Sequence, residues 1–260
     1  MSDFICNRLL LTNDDGIDAP GLRSLESVAR RLAKEVWVVA PDKDKSGVSH
    51  SLSLHQPLCF RLAGDKRYAV EGTPADCVVM ASRYFMTECQ PDFILSGINR
   101  GANIGNETVF SGTIGAAMTG IMLGIRAVAL SQFFTDRQNV RWKTAEYASE
   151  LVLRKLLPIP WDAQTCFNIN LPDTAPDKIK GITTSRQGLG HLHDISITVR
   201  EDPRSAPYAW LSLERNHIAE PADCEGASVS SGHISVTPLH FDRTDYATLT
   251  ERLTAEWPSV

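Results

Sequence analysis

The chain has 260 residues, 43% hydrophobic and 22% charged, which is enough apolar material for a full core. Its formal net charge of −5 argues against a general nucleic-acid binder, which would carry a concentrated basic face. The opening apolar run in MSDFICNRLLLTNDDG is too short for a signal peptide or a membrane span, and the six cysteines form no CxxC pair or zinc-like spacing, so free thiols in the cytoplasm are expected.

Taken in chain order, Arg8–Thr12 reads as a strand buried on both faces. Pro20 to Leu32 follows a helical period, with Leu22, Leu25, Val28, Ala29 and Leu32 on one face and Pro20 in the first turn. Glu35–Ala40 is a second strand, and a polar loop runs from Asp42 to Ser51. Leu58–Leu62 and Tyr68–Val70 suggest a hairpin. Thr73, Pro74 and Asp76 form a helix start of the capping-box type, and that helix reaches about Phe85.

Phe93–Ser96 is another buried strand, followed by a glycine-rich loop from Gly97 to Gly112 and a helix of small residues over Thr113–Leu123. Ala127–Ser131, Trp142–Lys155 and Cys166–Asn170 continue as strand, helix and strand. This alternation predicts an α/β fold, Rossmann-like, with a mostly parallel sheet and helices on both faces. After Pro172 the pattern changes: Lys180–Thr184, Ala209–Leu213 and His233–Thr237 read as strands between polar loops, and Thr244–Glu256 as a closing helix. We expect one domain over 1–260, made of a core at 7–172, a β-rich extension at 173–243 that would serve as an oligomerisation arm, and a closing segment at 244–260.

Ligands of open α/β sheets bind beyond the carboxyl ends of the strands. Asn13-Asp14-Asp15-Gly16 follows the first strand, Ser46 lies in the loop after the second, and Asn99 follows the strand ending at Ser96. Asp14, Asp15, Ser46 and Asn99 therefore converge on one edge. Two neighbouring carboxylates repel each other unless a cation lies between them. These four oxygen donors suit magnesium or manganese rather than a closed zinc site. The same Asn-Asp-Asp-Gly is also an ordinary turn sequence.

Ser111-Gly112-Thr113 stands directly before a helix, where free N–H groups and the helix dipole attract phosphate; a simple helix cap is the other reading. His191 and His193 alternate, but a solvent-exposed loop explains them better than a metal site. His50, near Ser46, is a weaker candidate for protonating a leaving group.

The segments LLTNDDGIDAPGL (10–22), VVAPDKDKSGVSHSLSL (38–54), GTPADCV (72–78), PDFILSGINRGANIGNETVFSGTIGAAMTG (91–120) and HISVTPLHFD (233–242) together resemble the SurE family, stationary-phase survival nucleotidases, in the family's order. The resemblance implies a Rossmann-like core, one divalent cation per subunit and phosphomonoester hydrolysis. The implied substrates are nucleoside 5′- and 3′-monophosphates, as for a 5′-nucleotidase, and short polyphosphate in some members. By position, Asp14, Asp15, Ser46 and Asn99 match the family's metal ligands, and Asn103, Ser111, Gly112 and Thr113 its phosphate-contacting segment. A homodimer or homotetramer is implied, partly through exchange of C-terminal elements.

Three departures stand out. Arg100 occupies a position that is usually small, Phe110 replaces a common Tyr, and Asp202-Pro203-Arg204-Ser205 lacks the Gly of the family's DPRG turn. Arg100 is thereby a further candidate for phosphate contact. The expected chemistry is polarisation of a phosphoryl oxygen and activation of water by a bound cation, with Asp15 orienting or deprotonating that water or serving only as a ligand. The competing reading is a non-catalytic nucleotide-binding or regulatory protein using the same crevice.

Overall fold

The structure is a computed structural model and describes residues 4–216 and 219–249. The elements, in order, are β1 (Cys6–Thr12), α1 (Pro20–Leu32), β2 (Ala33–Pro41), β3 (Phe60–Gly64), β4 (Arg67–Val70), α2 (Pro74–Met80), β5 (Phe93–Arg100), α3 (Gly112–Met122), β6 (Ala127–Gln132) and α4 (Trp142–Leu156). They continue as β7 (Cys166–Leu171), β8 (Ile182–Thr184), β9 (Leu192–Glu201), β10 (Pro207–Arg215), α5 (Glu225–Ser230), β11 (Ile234–Leu239) and α6 (Tyr246–Thr248).

Nine strands form one sheet in the order β3-β4-β2-β1-β5-β6-β7-β11-β8. From β4 to β7 every neighbouring pair is parallel; β3 and β11 run antiparallel to β4 and β7. Consecutive side chains on β1 explain why the strand is apolar throughout. Leu9 and Leu11 pack with α1 and α4, while Leu10 packs on the opposite face with α2 and α3. All three are fully buried, each contributing about 1.5–3 kcal/mol of transfer free energy. The expected mostly parallel sheet with helices on both faces is borne out.

Local signals set several boundaries. Thr73 accepts from the Asp76 amide while the Asp76 carboxylate accepts from the Thr73 amide, so the capping box forms as its sequence suggests. The helix that follows does not stay regular to Phe85: Ala81–Phe85 is wound as a π turn.

Three expectations need correction. β5 does not end at Ser96; it continues to Arg100 after a register shift, pairing Asn99 with Ser131 and Arg100 with Gln132 on β6. Gly97, at φ 137°, interrupts the strand pattern without ending the strand. The extension at 173–243 is β-rich but not one unit: β8 and β11 complete the main sheet, and only β9 and β10 pair as a separate antiparallel ribbon. The residues around His193 belong to β9 rather than to a loop, a strand whose alternating Ile195, Ile197 and Val199 were legible at period two. Of the expected closing helix, α6 is a short turn and 250–260 lie outside the described residues.

Candidate active site

The turn after β1 presents Asp14 and Asp15 at the carboxyl edge of the sheet. Asn13 Nδ2 donates to the Gly16 carbonyl at 2.9 Å, and the Lys45 amide donates to the Asp14 carbonyl at 2.7 Å, which joins this turn to the loop carrying Ser46. Asp14, Ser46, Asn99, Asn103 and Ser111 line one cleft of about 350 Å³. Asp15 lines an adjoining cleft of about 370 Å³ with Asp44, and Arg100 and Arg137 line both.

Each of the four proposed metal ligands is held by a bond from outside the set. Asp14 accepts from the Thr113 hydroxyl at 2.5 Å and the Thr113 amide at 3.3 Å. Asp15 Oδ2 accepts from the Arg100 amide at 3.0 Å. The Ser46 amide and hydroxyl both donate to Asp44 Oδ1, at 2.8 and 2.6 Å, which turns the hydroxyl lone pairs away from Asp44. Asn99 Nδ2 donates to the Gly101 carbonyl at 2.8 Å and so leaves Oδ1 as the outward acceptor. Such outer bonds orient ligands for a cation.

The donor chemistry fits a hard divalent ion. Burial pushes the Asp14 carboxyl up to about 6, the Thr113 hydroxyl pulls it back and Asp15 pushes it up again. Burial likewise raises Asp15, opposed by the Arg100 amide, with Asp44 adding to the rise. A cation here would hold these carboxylates ionised. Among the described residues no group of three or more His, Cys, Asp or Glu side chains could hold a metal, so the set relies on two carboxylates and neutral oxygens.

The N-terminus of α3 is more occupied than its sequence suggests. Ser111 Oγ accepts from the Ile114 amide at 3.1 Å, and the Thr113 amide is directed to Asp14. The Ser111 and Gly115 amides go to the Thr108 and Ser111 carbonyls. Gly112 alone in this first turn has an amide without a protein acceptor among the described residues. A Cβ at Gly112 would lie 2.9 Å from Asp14 Cβ, so the helix start and the Asp14 side chain are in contact. Thr113 and Gly112 stand behind Asp14 rather than lining the cleft.

Residues 9–194 match the family described as survival protein SurE. The 5′-nucleotidase SurE 1 of Burkholderia lata is 51% identical over 238 residues, 92% of either chain. The 5′-nucleotidase SurE of Parvibaculum lavamentivorans is 46% identical over 243 residues, 93% of this chain and 88% of that one. The crystal structure of the SurE protein from Aquifex aeolicus superposes with a TM-score of 0.81 at 36% identity, covering 96% of this chain and all of that one. The chain belongs to the SurE family.

Within this SurE-family chain, sequence reasoning missed several cleft residues. Phe133, Phe134 and Arg137 follow β6 directly, so the rule that placed Asp14 at a strand's carboxyl end could have found them. Leu213 and Arg215 come from β10 and His191 from just before β9, where no local signal points to the cleft. Arg215 pairs with the buried Glu107 at 2.6 Å, tying the ribbon to the cleft wall. His50 is not among the lining residues; its Nε2 lies 2.8 Å from Thr119 Oγ1. At the turn lacking the family glycine, Ser205 itself takes the left-handed conformation at φ 61°, and Asp202 Oδ1 accepts from the Arg204 and Ala206 amides. Among the described residues no helix is long and apolar enough to cross a membrane.

Proposed function

We propose that this protein is a divalent-metal-dependent 5′-nucleotidase that hydrolyses nucleoside 5′- and 3′-monophosphates to nucleoside and phosphate. The observation that carries the reading is the adjacent pair Asp14 and Asp15, which line two adjoining clefts, with Ser46 and Asn99 in the same cleft as Asp14, whose carboxylate bonds the start of α3. A protein that only sensed nucleotides would gain nothing from two adjacent carboxylates near a phosphate. Both bacterial relatives above bear the name 5′-nucleotidase.

Asp14, Asp15, Ser46 and Asn99 would hold one magnesium or manganese ion, which supplies Lewis acidity toward a phosphoryl oxygen and favours ionised water near neutral pH. Asn103 and Ser111 receive the phosphoryl oxygens, helped by the α3 dipole. Asp15 accepts a hydrogen bond from the attacking water and takes its proton as the new P–O bond forms; the ester P–O bond breaks, and the departing nucleoside oxygen takes up a proton from solvent in the open cleft. Phe110, Phe133 and Phe134 give the cleft an aromatic wall on which a base can stack. The six cysteines are all free, which suits a cytoplasmic location.

The test is phosphate release from an aryl phosphate and a nucleoside monophosphate. Chelation should abolish release, and manganese or magnesium should restore it. Full turnover by chelated protein would end the metal assignment, and no turnover with either metal would end the hydrolase assignment.

Arg100 is exposed, lines both clefts and makes no ion pair among the described residues. Its guanidinium is assigned to the substrate phosphate, including the chain of a short polyphosphate. A charge-assisted hydrogen bond contributes roughly 1.5–3 kcal/mol, so Arg100→Ala should lower kcat/KM by about 10- to 150-fold on every substrate. Metal affinity should hold, because the Arg100 amide still bonds Asp15. Unchanged kcat/KM would return phosphate binding to the α3 start.

The β9–β10 ribbon leaves Ile197, Val199 and Leu211 exposed on one face and Trp210 on the other, apolar surfaces suited to a second copy of this chain. Light scattering at micromolar concentration should give a dimer or tetramer of the 28.6 kDa chain. A monomeric mass for active enzyme would refute this.

A further inference from the structure

A buried acid stands outside the cleft lining. Glu225 opens α5 and is fully buried. Its Oε1 accepts from the Gly105 amide at 2.6 Å and its Oε2 from Asn168 Nδ2 at 3.2 Å. No cation neutralises it among the described residues, and its charged neighbour Glu220 repels it. Burial pushes its carboxyl up to about 7, with the Gly105 amide drawing it back. An unpaired buried acid weighs against the fold, and a neutral side chain of the same shape would remove that cost.

What Glu225 touches leads to the cleft. Asn168 Nδ2 also donates to the Asn103 carbonyl at 2.8 Å, and Asn170 Nδ2 donates to the same carbonyl at 3.0 Å. The Asn103 amide donates to Asn170 Oδ1 at 2.9 Å, and Asn103 Nδ2 to Ser131 Oγ at 2.7 Å. Gly105 begins the 3₁₀ turn Gly105–Phe110, which runs straight into Ser111 and Gly112. That turn is fitted closely: a Cβ on Gly105 would lie 2.2 Å from the Gly190 amide.

We propose that Glu225 is a positioning residue for the hydrolytic reaction, acting through Asn168 and Gly105 to set the Asn103 turn and the phosphate-binding start of α3. As an acceptor at both oxygens, the carboxylate bonds the Gly105 amide and also obliges Asn168 to turn its Nδ2 toward Asn103. A glutamine can keep only one of these bonds, because its own NH₂ would then face the Asn168 NH₂. The role rests on the phosphomonoesterase reading.

The deciding variant is Glu225→Gln, assayed with manganese alongside wild type. If Glu225 were merely structural, glutamine would leave KM unchanged while removing a buried charge. As a positioning residue, the variant should raise KM for a nucleoside monophosphate and the inhibition constant for inorganic phosphate by about tenfold, with melting temperature kept or raised and metal affinity unchanged. Asn168→Ser should raise both constants to a similar degree, at some cost in melting temperature, and the double variant should show KM and inhibition constants no higher than either single one. Folded Glu225→Gln with wild-type KM and phosphate inhibition would overturn the proposal, as would additive effects. If Glu225→Gln fails to fold, Asn168→Ser carries the same expectation and the same refutation. Calorimetric binding of inorganic phosphate decides the positioning role even if wild type releases no phosphate, an outcome that would count against the hydrolase reading alone.

Discussion

Asp14→Asn should lose at least about a thousandfold in kcat/KM while the metal-free protein becomes more stable. The activity loss follows from the assigned ligand role: an ion's stabilisation of developing charge is worth several kcal/mol, and about 4 kcal/mol is roughly a thousandfold. Asparagine keeps the shape of Asp14 and an oxygen for the Thr113 hydroxyl, and gives up only the long 3.3 Å bond from the Thr113 amide, so the loss would come mainly from the missing charge. The stability gain has a definite sign. In the metal-free fold the Asp14 carboxyl rises from 3.8 to about 6, chiefly through burial. A folded-state value above the unfolded one means the fold binds the proton more tightly, so stability is gained as pH falls through about 6 and is lost above it. At pH 8 the ionised group weighs against the metal-free fold by something on the order of 3 kcal/mol. Removing it should raise the melting temperature of chelated protein at pH 8, and much less at pH 4. Manganese should then add no further stabilisation, whereas it should stabilise wild type. Manganese-dependent turnover within tenfold of wild type would remove Asp14 from the ligand set.

Gly97→Ala should give the largest loss of stability. Gly97 lies in the middle of β5, between β1 and β6, at φ 137°. A Cβ there would sit 2.2 Å from the Leu130 carbonyl oxygen of β6, a backbone atom that cannot swing aside. The two central strands must part, and the shift carries to Asn99 and to the Arg100 amide that holds Asp15. We expect a cost of about 3 kcal/mol or more, a fall of roughly 6–12 °C in melting temperature, and loss of metal binding. Gly181→Ala is the control: its φ of 129° is similar, but nothing lies within 4 Å of the added methyl. It should show only the backbone strain, on the order of 1–2 kcal/mol. Equal melting temperatures for the two variants would show that the Leu130 contact relaxes without cost.

Some of the site follows from short-range patterns. Asp14 and Asp15 come directly after an apolar strand, Ser111 caps a helix that begins one residue later, and Thr73 and Asp76 form their box across three residues. Those relations depend on neighbours within one turn of backbone, so strand and helix periods and cap chemistry expose them. β5 was cut short because Gly97 scores as a break in any local pattern, although the sheet carries the chain through it.

The amino-acid sequence by itself determined the alternation of strands and helices, the edge at which the chemistry-bearing loops gather, and the membership that the motif blocks foretold. Only the tertiary structure decided which groups at that edge are open to a ligand. Thr113 looked like a phosphate donor until its amide and hydroxyl proved to be directed at Asp14, 99 positions away. No pattern in the sequence sets Glu225 apart, and the fold buries it against Gly105, 120 positions away. Hydrogen bonds at such separations form because the packed sheet brings two loops together and shuts out water. No periodicity along the chain encodes that meeting, and the free energy of leaving a buried donor or acceptor unpaired settles it only once the layers are in place.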